Sequence, residues 1–159
     1  MIKNVSLDIF KRDYNNNPPP NSLCISIMNS SDIETDYFPL SSDWLSRLRL
    51  TFDDINEPIQ DMSEFTYEHA VLILKVVLDD QLNIKDEYDN IIIHCTAGVS
   101  RSAAVSLFFN QLKHRTTITD LSRFGWSCFN SHVFVTLLEA FHFKAEELGL
   151  PDYLERVRV

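Results

Sequence analysis

At 159 residues, 45% hydrophobic and 23% charged, the chain is sized and composed for one globular domain with a real core, over residues 1–159. A net charge of -9 and a pI near 4.9 weigh against nucleic acid and against an anionic membrane as partners, since both would repel the chain at long range. Cys24, Cys95 and Cys128 are too few and too scattered for a disulfide scaffold, and no apolar run is long enough to span a bilayer; without a signal peptide after Met1, the expectation is a cytoplasmic monomer.

In chain order, Val5, Leu7 and Ile9 alternate with polar residues, which predicts a half-exposed first strand. The run Asn15 to Asn21, with Pro18, Pro19 and Pro20 at its centre, reads as a stiff turn into a second strand, Leu23 to Met28, where Cys24 is expected to pack. Residues 29–43 are rich in Ser and Asp and read as a surface segment held beside the sheet by Tyr37, Phe38 and Trp44.

Leu48, Leu50 and Phe52 place an apolar face on a third strand by their period of two. Carried one step further, the period puts Asp54 on that face and leaves Asp53 on the polar one. A carboxyl at the apolar end of a strand is desolvated, so its pKa rises and it can hand a proton to a leaving oxygen near neutrality. A turn or a helix cap is the plainer use of an Asp-Asp pair, and Asp53 and Glu57 are alternative proton carriers.

Ser63 is placed to cap a helix that runs to about Leu78, with Phe65, Ala70, Val71, Leu74, Val77 and Leu78 as its apolar face. An acid-rich connection, 79–90, leads into the strand Ile91 to Ile93. Beyond residues 94–102, Ala104, Leu107, Phe108 and Leu112 mark the buried stripe of a helix ending near Arg115. Residues 116–125 read as a short helix and turn. A last helix is expected from Ser131, its cap, to Leu148, stopped by Gly149 and Pro151. Strands alternating with helices predict an α/β three-layer sandwich, a central, mostly parallel sheet flanked by helices on both faces.

The stretch His94-Cys95-Thr96-Ala97-Gly98-Val99-Ser100-Arg101-Ser102 lies between that buried strand and that buried helix. A loop there is an anion site: the amides of Thr96 to Arg101 can converge on one point, and the positive end of the helix dipole adds to them. Those amides and the Arg101 guanidinium would favour thiolate at Cys95 and make it a nucleophile, while the planar fork of Arg101 suits two oxygens of a phosphoryl group. A lone cysteine after a strand is usually a small core residue, and Gly98 and Arg101 are what set this one apart. A metal is not expected, since no second Cys or His pair has ligand spacing.

The pattern His-Cys-x-x-Gly-x-x-Arg-Ser resembles the signature loop of the cysteine-dependent protein tyrosine phosphatase superfamily, and most of all its compact dual-specificity-like branch with bacterial and phage relatives. The resemblance is tight at residues 94–102 and loose from about Leu23 to Ala140. It implies a phosphotyrosine phosphatase II-like sandwich and a metal-independent, cofactor-free hydrolysis of phosphorylated proteins through a cysteinyl-phosphate. By that resemblance Cys95 takes the phosphoryl group and Arg101 holds it in the transition state. Ser102 hydrogen-bonds the sulfur, His94 orients the loop by hydrogen bonding, and Asp54 is the general acid. Phosphate, sulfate or vanadate would sit against Thr96, Ala97, Gly98, Val99, Ser100 and Arg101.

Tyrosine-specific members carry their acid in a Trp-Pro-Asp loop and have a separate phosphotyrosine-recognition loop. Neither is visible, so the substrate range stays open between phosphotyrosine alone and phosphoserine or phosphothreonine as well. Thr96, Ala97 and Val99 lack the lysines that phosphoinositide phosphatases of the superfamily tend to place there. Two rival readings are an arsenate reductase-like enzyme, for which Cys24 or Cys128 would supply the resolving thiol, and a phosphotyrosine-binding module without turnover.

Overall fold

The structure is a computed structural model that describes residues 1–32, 38–114 and 128–150. Its centre is a four-stranded, all-parallel sheet of β1 (Ile2–Ser6), β2 (Ser22–Met28), β3 (Ser46–Thr51) and β4 (Asn90–Cys95), in the order β1-β4-β2-β3. The helices are α1 (Leu7–Ile9), which runs on as a π-helical turn over Phe10–Tyr14, then α2 (Tyr67–Val77), α3 (Arg101–His114) and α4 (Ser131–Glu147).

Parallel strands are covered on both faces and so carry nearly unbroken apolar runs, as β2 and β4 do. Leu23, Ile25 and Ile27 of β2 and Ile91, Ile93 and Cys95 of β4 pack in one core with α2, α3 and α4, whose buried aromatics include Phe108, Phe134 and Phe141. On the opposite face Cys24 and Ile92 share a smaller core with Val5, Phe10 and Trp44. These are the three layers expected of the α/β sandwich. Ser6 pairs with Cys95 and Ser26 with His94 in register, so the central strands end together at the carboxyl edge, where open α/β sheets place their ligand sites.

Several boundaries differ from the sequence reading. β1 stops at Ser6, whose hydroxyl accepts from the Ile9 amide at 3.3 Å and caps a helical turn. Leu7 and Ile9 therefore belong to that turn, and the residue it buries is Phe10, stacked on Trp44 at 5.7 Å. α2 is capped by Thr66 through a reciprocal capping box with His69, while the Ser63 amide turns to Asp53. That start leaves Val71 on the solvent side and buries Ile73. α4 is capped by the buried Asn130, with Ser131 as its first residue. Tyr37, Arg115, residues 116–125 and Pro151 lie outside the described residues. Among those described, no helix is long and apolar enough to cross a membrane.

Phe10 is the buried residue of its helical turn, with Tyr14 packed at the edge of the same smaller core. Phe10→Ala is expected to cost about 3 to 5 kcal/mol in urea unfolding, with a loss under about 1 kcal/mol counting against this packing.

Candidate active site

Cys95 is the last residue of β4 and Arg101 the first of α3, so residues 96–100 form a short strand-to-helix loop at the positive end of the helix. Gly98 makes the loop possible. Its φ is +77°, and a Cβ there would lie 2.8 Å from the Val5 carbonyl oxygen and closer still to the Ser6 nitrogen, so only glycine fits against the end of β1. The same strand end holds the loop by hydrogen bonds: Asn4 Nδ2 donates to the Gly98 carbonyl at 2.6 Å, and the Leu7 amide to the Thr96 carbonyl at 3.2 Å.

Cys95 is 2% exposed, and its sulfur sits inside the turn. It accepts from the Gly98 amide at 3.3 Å and lies 3.1 Å from the Ser102 hydroxyl, which comes round one helical step behind it. Arg101 is also buried. Its Nη1 donates to the Met28 and Phe52 carbonyls at 3.3 and 2.6 Å, and its Nη2 to Asn29 Oδ1 and Thr96 Oγ1 at 2.8 and 3.2 Å. The ends of β2 and β3 thus hold the guanidinium beside the loop. Thr96, Ala97 and Val99 are exposed on its outer side, and Ser100 is half-buried.

The two aspartates are placed opposite to the sequence reading. β3 ends at Thr51, and beyond Phe52 the chain leaves the sheet, so the period of two no longer applies. Asp53 is the buried carboxylate and Asp54 is exposed. The desolvation invoked for Asp54 is therefore absent. Asp53 accepts from the Ser30 hydroxyl and from the Ser30 and Ser63 amides at 3.0 and 2.8 Å. Burial pushes its carboxyl up, but the Ser30 hydroxyl, the two amides and the nearby Arg101 charge outweigh burial and hold it below its ordinary value. Asp53 therefore stays ionised and is a poor proton carrier, and Glu57 is exposed with no hydrogen bond or ion pair among the described residues.

Asp54 meets the loop from outside. Its Oδ1 accepts from Ser100 Oγ at 2.7 Å and from Asn130 Nδ2 at 2.8 Å. Asn130 also donates its amide to the Ser100 carbonyl at 3.2 Å and Nδ2 to the Ile55 carbonyl at 3.1 Å, while its Oδ1 caps α4. One buried residue, through its side chain and its main-chain amide, thus ties the acid segment, the loop and the last helix together. Asn56 adds to this by accepting from Ser131 Oγ at 3.1 Å. Sequence reasoning gave no role to Asn130 or Asn29: a cap-forming residue type and a weak similarity of the stretch Asn130 to Val133 to the start of the phosphatases' last helix were signals for the first, and nothing in a Ser- and Asp-rich segment singled out the second.

His94 does not orient the loop through hydrogen bonds. It is fully buried, and neither ring nitrogen has a hydrogen-bond partner among the described residues. It stacks on Phe10 at a centroid distance of 4.2 Å, with Phe38 at 5.8 Å. Burial, and then the positive charges of Arg49, Lys11 and Arg101, push its pKa down to about 3. Cys24 faces the layer opposite Cys95, and burial pushes its thiol up to about 12. Among the described residues no three His, Cys, Asp or Glu side chains cluster as a metal site. Compared with known proteins, the chain matches no family model, no curated protein and no solved structure.

Because the folded chain keeps His94 neutral while the unfolded chain protonates it near pH 6.5, the fold loses stability as the pH falls from about 6.5 toward about 3, at up to about 1.4 kcal/mol per pH unit. His94→Phe removes that titration. Urea midpoints taken from pH 7.5 to 4 should fall more steeply for the unsubstituted protein than for the variant, and parallel curves would refute the assignment.

Proposed function

We propose that the protein is a metal-independent phosphatase of the cysteine-dependent, dual-specificity-like kind, hydrolysing phosphotyrosine in proteins, with phosphoserine and phosphothreonine as further candidate substrates. The observation that carries this reading is the Cys95 sulfur, hydrogen-bonded by the Gly98 amide in the loop before α3, with the buried Arg101 guanidinium bonded to Thr96 of that loop and the Asp54 carboxylate to Ser100. A hydrogen-bonded sulfur, a fixed guanidinium and a solvent-facing acid are the parts that phosphoryl transfer to sulfur requires.

In this mechanism the Cys95 thiolate attacks phosphorus, and the bond from phosphorus to the ester oxygen breaks. The leaving oxygen takes its proton from the protonated form of Asp54, which is exposed and hydrogen-bonded to the loop at Ser100. Arg101 and the loop amides hold the equatorial oxygens throughout. In the second step water attacks the phosphocysteine and gives its proton to Asp54. The sulfur leaves as thiolate while the Ser102 hydroxyl, at 3.1 Å, donates to it. The uncharged Thr96, Ala97 and Val99 add no cation beyond Arg101 to the loop, which favours a simple monoester over a multiply phosphorylated headgroup.

The burial of Cys24 on the far side of the sheet counts against it as a resolving thiol and leaves the exposed Cys128 as the thiol that the arsenate reductase reading would need. The pairing of Asp54 with the loop counts against a module that only binds.

Asp54→Asn separates the acid from the rest of the machinery. In the presence of EDTA, hydrolysis of a phosphotyrosine peptide should fall about 100-fold or more, while an aryl phosphate with a strongly acidic phenol should lose less than about tenfold. Equal losses on both would remove Asp54 from the acid role, and activity seen only with added divalent metal would overturn the reading.

A further inference from the structure

The hydrogen-bond inventory of Arg101 singles out a residue that no motif includes. Both hydrogens of Nη1 go to main-chain carbonyls, Met28 and Phe52, and both of Nη2 go to side-chain oxygens, Asn29 Oδ1 and Thr96 Oγ1. Among the described residues, Nε is buried without a partner. Two carbonyls on one nitrogen give the planar guanidinium a pivot. A second nitrogen held from outside the loop is needed to set the direction in which the remaining hydrogens face.

We propose that Asn29 is a positioning residue for Arg101, fixing the guanidinium plane so that Nε, and Nη2 once Thr96 yields, face an oxyanion seated in the loop. The proposal rests on the phosphatase reading for its chemistry. Its own support lies in how Asn29 is built. Asp32 accepts from the Asn29 amide at 2.7 Å and from Asn29 Nδ2 at 3.5 Å, which turns the Nδ2 end away from the guanidinium and leaves Oδ1 facing it. The Asp32 amide closes the turn on the Asn29 carbonyl at 3.1 Å. From the other side the buried Asp53 carboxylate takes both the amide and the hydroxyl of Ser30, the next residue. Two carboxylates therefore anchor one short turn, and that turn presents a single oxygen to Arg101.

The residue type matters as much as the place. An amide oxygen is an acceptor without charge, so it orients the guanidinium and leaves its positive charge for the substrate. A carboxylate in the same place would neutralise part of that charge and repel the incoming dianion. Thr96 differs from Asn29 in belonging to the loop, with an exposed side chain whose 3.2 Å bond is the longer of the two on Nη2. It is the bond that an incoming oxygen replaces.

The test is a double-mutant cycle read as affinity for tungstate, a tetrahedral dianion that is not turned over, measured calorimetrically on the full chain. Asn29→Ala should weaken tungstate binding about tenfold, in line with the loss of one charge-assisted hydrogen bond. In an Arg101→Lys background, the same change should alter affinity less than about twofold. Asp32→Ala, which leaves Asn29 in place but frees its amide, should weaken binding in the same direction as Asn29→Ala. Unchanged affinity in both single variants, or equal losses with Arg101 and with Lys at position 101, would overturn the proposal alone. Failure of the unsubstituted protein to bind tungstate would overturn the oxyanion-loop reading and the proposal with it.

Discussion

At Gly98 the backbone of the loop presses on the backbone of β1 more closely than any side chain would allow, and the site is arranged around that contact. The strand lies beside β4 in the sheet, with Ser6 level with Cys95, so its last residues reach the loop the moment β4 ends. Asn4 and Leu7 then hydrogen-bond loop carbonyls at Gly98 and Thr96. With its carbonyls taken by β1, the loop is free to turn amides the other way, and one of them, from Gly98 itself, meets the sulfur. Sheet order therefore shapes the site: the edge strand next to β4 is the mould for the loop.

Around that mould, adjacent aspartates have separate tasks. Asp53 is buried, ionised and wholly engaged with Ser30 and Ser63, which makes it a fastener for the segments that flank Arg101. Asp54 is exposed and touches Ser100 and Asn130, which makes it the member of the pair that a substrate can reach. One residue of chain direction, set where β3 releases the backbone after Thr51, decides which carboxylate is structural and which is available for chemistry. Asn130 then couples that choice to α4, since it caps the helix and touches both the acid segment and the loop.

Much of this was legible in the order of residues. The apolar runs of β2 and β4, the buried stripe of α3 and the Cys95 to Ser102 spacing all report local patterns, and local patterns survive into the fold. What did not show was set by tertiary contact. Leu7 and Ile9 keep strand spacing, yet Ser6 caps a turn there and Phe10 is drawn under His94. The period of Leu48, Leu50 and Phe52 is real, but extrapolating it to Asp54 assumed a strand that had already ended. His94 looks polar and turns out to be an aromatic plate in the lower core. Asn29 and Asn130 are ordinary turn and cap residues until the distant segments they join are known.

In the proposed mechanism the sulfur of Cys95 bonds to phosphorus during turnover. Acid-quenching the protein during steady hydrolysis of an aryl phosphate and mapping its peptides by mass spectrometry tests this directly. A phosphoryl adduct on the peptide containing Cys95, lost in Cys95→Ser, is the predicted result; turnover with no adduct on that peptide, or with one on another side chain, would contradict it.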